Sequence, residues 1–185
     1  MMPDHHPDPA PAASRRTHAA DALERALRAL DAAETRQSPP EMVQALTQAA
    51  RAYRGLAEPA AAETCLQRAL GWAGLLGSVD ASIDLLCELA EAAVAQAPSH
   101  DDAARARAAR ERARDHGFDA AERARHCADP QWELSVLLRV SDVLDRCGDH
   151  DDAIVLQCRA IALITHGSVA TPAVRLQSAT PAATM

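Results

Sequence analysis

"LLRVSDVLDRCGDHDDAIVLQCRA", from Leu137 to Ala160, sets the reading of the whole chain. Its first half repeats apolar residues at helical spacing, with Leu137, Val140 and Leu144 on one side of a 3.6-residue period. Trp132 and Val136 extend that stripe upstream, which predicts a helix over 131–146. "RCGD" interrupts the period, and Gly148 suits the left-handed residue that ends many helices. Ile154, Cys158 and Ile161 then resume it, predicting a helix over 151–165. Two helices joined by so short a polar turn lie antiparallel.

The same alternation runs upstream. Ala19, Leu23, Ala26, Leu27 and Leu30 mark a helix over 18–35, stopped by Pro39 and Pro40. Val43, Leu46, Ala50 and Tyr53 mark 41–56. Ala62, Leu66, Ala69 and Ala73 mark 59–76, with Pro59 suited to a first turn. Ile83, Leu86, Cys87, Ala90 and Val94 mark 80–96. A long Ala/Arg segment, 101–116, is expected to break at Gly117 and to be followed by a short helix over 118–128. Residues 1–17 and 167–185, rich in Pro and small residues, read as a disordered tail and a flexible C-terminal tail. One helical domain, 18–166, lies between them, the number expected for a chain of 185 residues.

Composition points to the same fold class, all-α. Apolar residues make up 48%, but aromatics only 2%, and much of the apolar count is Ala. Strands favour aromatic and β-branched side chains, whereas Ala is the best helix former. The net charge of −7 argues against a nucleic-acid partner, whose binding surface is usually basic. No apolar run approaches the length of a membrane span or of a signal peptide, so a cytoplasmic location is expected. Five cysteines without a C-x-x-C pair read as reduced thiols, mostly small core fillers.

An internal repeat organises these helices. Leu137, the pair Val140–Ser141 and Leu144 are followed nine residues later by Ala153, then Gln157 and Ala160. The same spacing runs Leu46, Ala49–Ala50, Tyr53, then Ala62, Leu66 and Ala69. Large, small-small, large, then Ala-x3-large-x2-Ala resembles the tetratricopeptide repeat over residues 42–165, in a longer, degenerate form. The motif's Trp, Gly and final Pro are absent, and Gln157 stands where Phe belongs. The middle unit admits two registers. In one, Ile83, Leu86–Cys87 and Ala90 precede Ala103 by an excess of about one helical turn. In the other, the unit starts at Cys87 and Val94 lies nine residues before Ala103. In either register Arg107 stands where a large apolar residue belongs. The resemblance implies a right-handed superhelix of about three antiparallel helix hairpins plus a leading helix. Its concave face, lined by the first helices, would bind peptides or protein segments.

The repeat also bears on a tempting piece of chemistry. "HDDA" occurs at His100–Ala103 and again at His150–Ala153. It suggests the His-Asp pair of HD-type metal phosphohydrolases, which are all-α too. For His150–Asp151 the closing acid is missing, since no Asp or Glu follows Asp152. For His100–Asp101 the upstream His would come from His5, His6 or His18, in or near the tail. The competing reading places Asp101/Asp102 and Asp151/Asp152 at helix N-termini, where a carboxylate meets orphan N–H groups and the positive dipole end. That reading is preferred, with no metal and no cofactor. No phosphate-binding, nucleophile-elbow or zincin motif occurs either. The Arg-rich run 105–125 interleaves with acids and reads as a self-paired solvent face.

What remains is a groove. By the repeat register Gln44, Thr47, Arg51 and Arg54 line it first, Asp84, Glu88 and Glu91 follow, and Asp142, Asp145 and Arg146 close it. Three like charges on one helix face read either as an ordinary acidic solvent face or as an acidic centre suited to a basic partner, and in the second middle register Glu88 stays in the groove and Asp84 leaves it. The carboxylate clamp of chaperone-binding tetratricopeptide proteins uses Lys and Asn, and this chain has neither. The expected function is a non-enzymatic scaffold or adaptor for a protein or peptide. A regulatory module that self-associates, for instance as a homodimer, is the other non-enzymatic reading.

Overall fold

The computed structural model describes residues 10–97 and 102–169, with side chains over 14–97 and 102–165. Among the described residues the chain is all helical: α1 (Ala10–Thr35), α2 (Pro39–Gly55), α3 (Pro59–Leu75), α4 (Val79–Gln96), α5 (Ala103–Ala124), α6 (Pro130–Cys147) and α7 (His150–Val169). Each helix packs on the next, and α4 also packs on α6. This is the packing order of a helical-hairpin repeat.

Four of the turns are one device used four times. A left-handed residue closes each helix: Gln37 (φ 51°), Ala57 (φ 63°), Gly77 (φ 64°) and Gly148 (φ 90°). The following N–H returns to a carbonyl five residues back: Ser38 to Ala33 (3.0 Å), Glu58 to Tyr53 (2.9 Å), Ser78 to Ala73 (3.1 Å) and Asp149 to Leu144 (2.9 Å). That is the Schellman closure, which satisfies carbonyls the helix end leaves free. Gly148 fits it without a Cβ penalty, and Gln37 and Ala57 adopt it in spite of one.

The "HDDA" echo is out of step with these turns. Asp102 caps α5, its carboxylate accepting from Ala104 N at 2.8 Å. In the second copy the residue before the helix is Asp149, whose carbonyl accepts from Ala153 N at 3.0 Å. His150 is already helical, and Asp151 and Asp152 sit in the first turn. Aligning Asp102 with Asp149 pairs Ala106 with Ala153, and both are buried. Ala103, expected to pack, is exposed at the helix start, and the large position falls on Arg110, not Arg107. The same count from Glu58 reaches Ala62, and the fully buried Ala69 and Ala113 and the buried Ala160 follow in step.

Counting from Ser38, Ser78 and Asp129 likewise aligns the first helices. Leu46, Leu86 and Leu137 coincide, as do Ala49–Ala50, Leu89–Ala90 and Val140–Ser141, all buried. The middle register is therefore Leu86, Leu89–Ala90, Ala93, and neither alternative read from the sequence holds. The extra turn's worth of chain lies in the connection between α4 and α5, outside the repeat.

Three boundaries also differ. α1 begins at Ala10, so residues 10–17 of the expected tail are helical. Pro11 falls in the first turn, where its missing N–H breaks no bond. α7 runs to Val169, past the expected start of the second tail. Residues 1–9, with His5 and His6, and residues 170–185 lie outside the described residues. The third difference is Gly117, which does not break the chain, because α5 is continuous through it. A Cβ there would stand 3.0 Å from Val140 Cγ1, so Gly117 is a packing residue that lets α5 and α6 approach. Gly117→Val is accordingly expected to cost about 1–3 kcal/mol by overpacking. Gly71→Ala, at an open helical position, should gain up to about 1 kcal/mol. Urea midpoints of the two variants, moving in opposite directions, check both.

The core is thin-walled and centred on α4. Leu85, Leu89 and Ala92 pack with Leu46, Leu66, Ala69 and Ala73 of α2 and α3. Ile83, Leu86 and Cys87 pack with Ala120, Ala124, Val136, Leu137, Val140, Ala153 and Ala160 of α5, α6 and α7. Ala dominates the second-helix side of both clusters, and its short side chain brings the backbones close. Burial pushes the Cys87 thiol up to about 12, so it packs as an inert apolar group.

Candidate functional site

The first helices α2, α4 and α6 carry one continuous charged face. Arg51 donates to Glu88 Oε1 from Nε (3.0 Å) and from its terminal nitrogen (2.5 Å). Arg54 reaches Glu91 Oε2 at 2.9 Å. Arg139 of α6 closes the array, with Nε 3.0 Å from Glu91 Oε1 and Nη1 3.5 Å from Asp84. Three guanidinium and three carboxylate groups thus interlock across three helices. Counted from each N-cap, Arg51 and Glu91 occupy one position, and Glu88 and Arg139 another. The rung Arg51–Glu88 is repeated, with signs exchanged, as Glu91–Arg139.

This arrangement corrects the expected acidic centre. Arg51, Arg54, Asp84, Glu88 and Glu91 do come together, but they neutralise one another with Arg139, a residue the sequence register left out. The Glu88 side chain is only 6% exposed, beneath an Arg51 that is 63% exposed. Its Oε2 is buried with no hydrogen-bond partner among the described residues. Glu88 is therefore a structural anchor and presents no oxygen to a visitor. Its hydrogen bond raises the Arg51 pKa above its ordinary value. Partial burial pushes the Asp84 carboxyl up, against the pull of Arg139.

The remaining expected residues divide by exposure. Gln44 is exposed. Thr47 is half-buried and turns its hydroxyl back to the Val43 carbonyl (2.8 Å). Asp142 is 70% exposed, 3.6 Å from Arg146 on its own helix. Asp145 meets His150 Nδ1 at 2.6 Å across the α6–α7 turn. At the other end of the face, His18, Arg25, Gln48 and Arg51 line a groove of about 460 Å³ between α1 and α2, with no carboxylate in its lining. The two ends of the face thus differ in their exposed groups, with guanidinium groups of Arg25 and Arg51 by α1 and, on α6, carboxylates paired with Arg146 and His150.

Two further polar contacts tie the second helices to their neighbours. Glu63 of α3, almost buried, accepts from Arg112 Nε of α5 (3.0 Å) and from the Gln96 amide of α4. Glu133 of α6 is bound by Arg159 of α7. Burial lowers the pKa of His116, the α5 neighbour of Arg112. These pairs tie neighbouring helices of the stack together. The Arg-rich run is self-paired only in part: Arg105, Arg123 and Arg125 meet Asp102, Asp119 and Glu122, whereas Arg112 and Arg114 reach Glu63 and Asp149 outside α5.

Among the described residues, no group of three or more His, Cys, Asp or Glu is arranged to hold a metal ion. His100 and Asp101 lie outside them. Likewise, no helix there is long and apolar enough to cross a membrane. No protein-family model matches the chain. No curated protein matches it. Among solved structures, a "DHF58 filament" chain is similar at TM-score 0.43 and 19% identity, over 84% of this chain and 86% of that one. BtubC (BKLC) from P. vanneervenii is similar at TM-score 0.30 and 13% identity, over 94% of this chain and 99% of the other. Both likenesses are too weak to place the chain in a fold family.

Proposed function

We propose that this chain is a non-enzymatic, tetratricopeptide-like adaptor that holds a protein or peptide segment along the α2–α4–α6 face. The observation behind this reading is the repeated rung, which fixes long charged side chains of three successive first helices in one array. A surface whose side chains are already ordered loses less entropy when a partner settles on it. Polarity then sets the partner's direction. A segment with acidic residues toward α1 and basic residues toward Asp142 and Asp145 matches the two ends. Five free cysteines favour a reducing compartment, in keeping with a cytoplasmic site.

Peptides selected from a display library on the immobilised protein test this reading. Asp142→Arg with Asp145→Arg is expected to weaken the selected peptides at least tenfold at low salt. Helicity should not change, because both side chains are exposed. A selection without binders, or binders indifferent to the reversal, would show that this face is not the docking surface.

A further inference from the structure

We propose that α7 docks its outward face on α7 of a second copy of this chain, antiparallel about a two-fold axis near Cys158. This surface is separate from the α2–α4–α6 face. From Ala153 to Thr165, α7 carries apolar residues on its outward as well as its packed side, a pattern that normally marks a helix covered on more than one side. Inward, Ala153, Leu156, Ala160 and Leu163 pack on the cluster shared with α6. Outward, Ile154, Val155 and Ile161 are 55%, 64% and 59% exposed around the exposed Cys158, while Ile164, 54% exposed, lies on the flank between this face and the packed one. The most apolar helix, α4, has helices on both flanks. In the described structure α7 has a neighbour on one flank only.

Charge selects the occupant. From Ala153 to Thr165 the only charged residue is Arg159, and it is turned to Glu133 of its own chain. Two copies of this face therefore meet without like charges, the self-complementarity an isologous interface requires. Charge also selects the direction. Asp151 and Asp152 are exposed at one end of α7. Parallel pairing would gather four carboxylates, whereas antiparallel pairing separates them by the length of the helix. Ile154 of one copy then lies toward Ile161 of the other, with the two Cys158 side chains at the crossing. A partner of different chemistry would need an uncharged apolar face of the same length, and this chain already carries one.

Ile154 to Thr165 spans about 17 Å on a helix about 10 Å across, so one such face on another buries on the order of several hundred Å². That is below the roughly 1,200 Å² of stable complexes, so the dimer is a weak one that dissociates on dilution. Light scattering of the full chain from about 1 μM to about 300 μM is expected to show the mass rising from one copy to two. Ile154→Glu and Ile161→Glu should each stay monomeric with an unchanged circular dichroism spectrum. A short bismaleimide should give a covalent wild-type dimer that Cys158→Ser abolishes. A monomer throughout overturns the proposal and leaves residues 170–185 or another protein as the cover. A dimer that survives both Glu variants, or a crosslink that survives Cys158→Ser, overturns the assignment of this face.

Discussion

Glu88→Arg is expected to cost about 3–5 kcal/mol of stability, read as a large fall in the urea midpoint. The side chain is 6% exposed, and its Oε1 is held by Arg51. Reversal places a cation in that enclosed position, beside Arg51 and close to Arg139. Glu88→Gln keeps the shape and a hydrogen-bond acceptor and should cost only about 1–2 kcal/mol. Exchanging the pair, Glu88→Arg with Arg51→Glu, should recover part of the loss, because the two effects are coupled. A midpoint unchanged by Glu88→Arg would instead mark Glu88 as the exposed groove contact that the sequence suggested. The consequence for binding studies is direct: reversals belong at Asp142 and Asp145, where the fold does not depend on the charge.

Leu89→Ala is expected to cost about 3–5 kcal/mol, since Leu89 is fully buried and its neighbours cannot collapse into the space. It packs with Leu46, Leu66 and the Ala stripe of α3, where the walls are backbone and Cβ atoms. Such walls have few rotamers to spare, so the cavity persists. Leu75→Ala removes an equal side chain that is 79% exposed and should change stability by less than about 0.5 kcal/mol. Urea unfolding followed by circular dichroism compares the two. A small loss for Leu89→Ala would mean that α4 is not the centre of the core.

Much of the fold was legible because local signals are dense. Pro39, Pro59 and Pro130 start helices, Gly148 ends one, and Asp102 and Asp129 cap two. Two local signals misled. Gly117 resembles a helix breaker, but its lack of a side chain serves Val140 on another helix. The "HDDA" echo looks like a common ruler, yet its two copies sit three residues apart relative to their helix starts. The better ruler was the left-handed turn residue. It is hidden because Gln37 and Ala57 fill it as well as Gly77 and Gly148.

The site was half legible for the same reason. Five members of the charged array lie in the expected face, because amphipathic spacing alone puts them there. Arg139 was missed because it shares its register position with Glu88, and that equivalence appears only when the helices are counted from their caps. By itself, then, the sequence determined the all-helical class, the helices other than α5 and the packing of consecutive helices, all of which follow from periodicity, capping and short connections. The tertiary structure alone decided the register between helices, and with it which charges meet. Register depends on how α4 beds against α6 and on a connection within the middle hairpin that is about a turn longer than those within the other two. The longer connection shows in the spacing as an excess of about one helical turn before Ala103, but the spacing does not tell which positions it separates. That is why a row of three acids on α4 reads as an acidic centre in one dimension and stands as a neutralised, partly buried array in three.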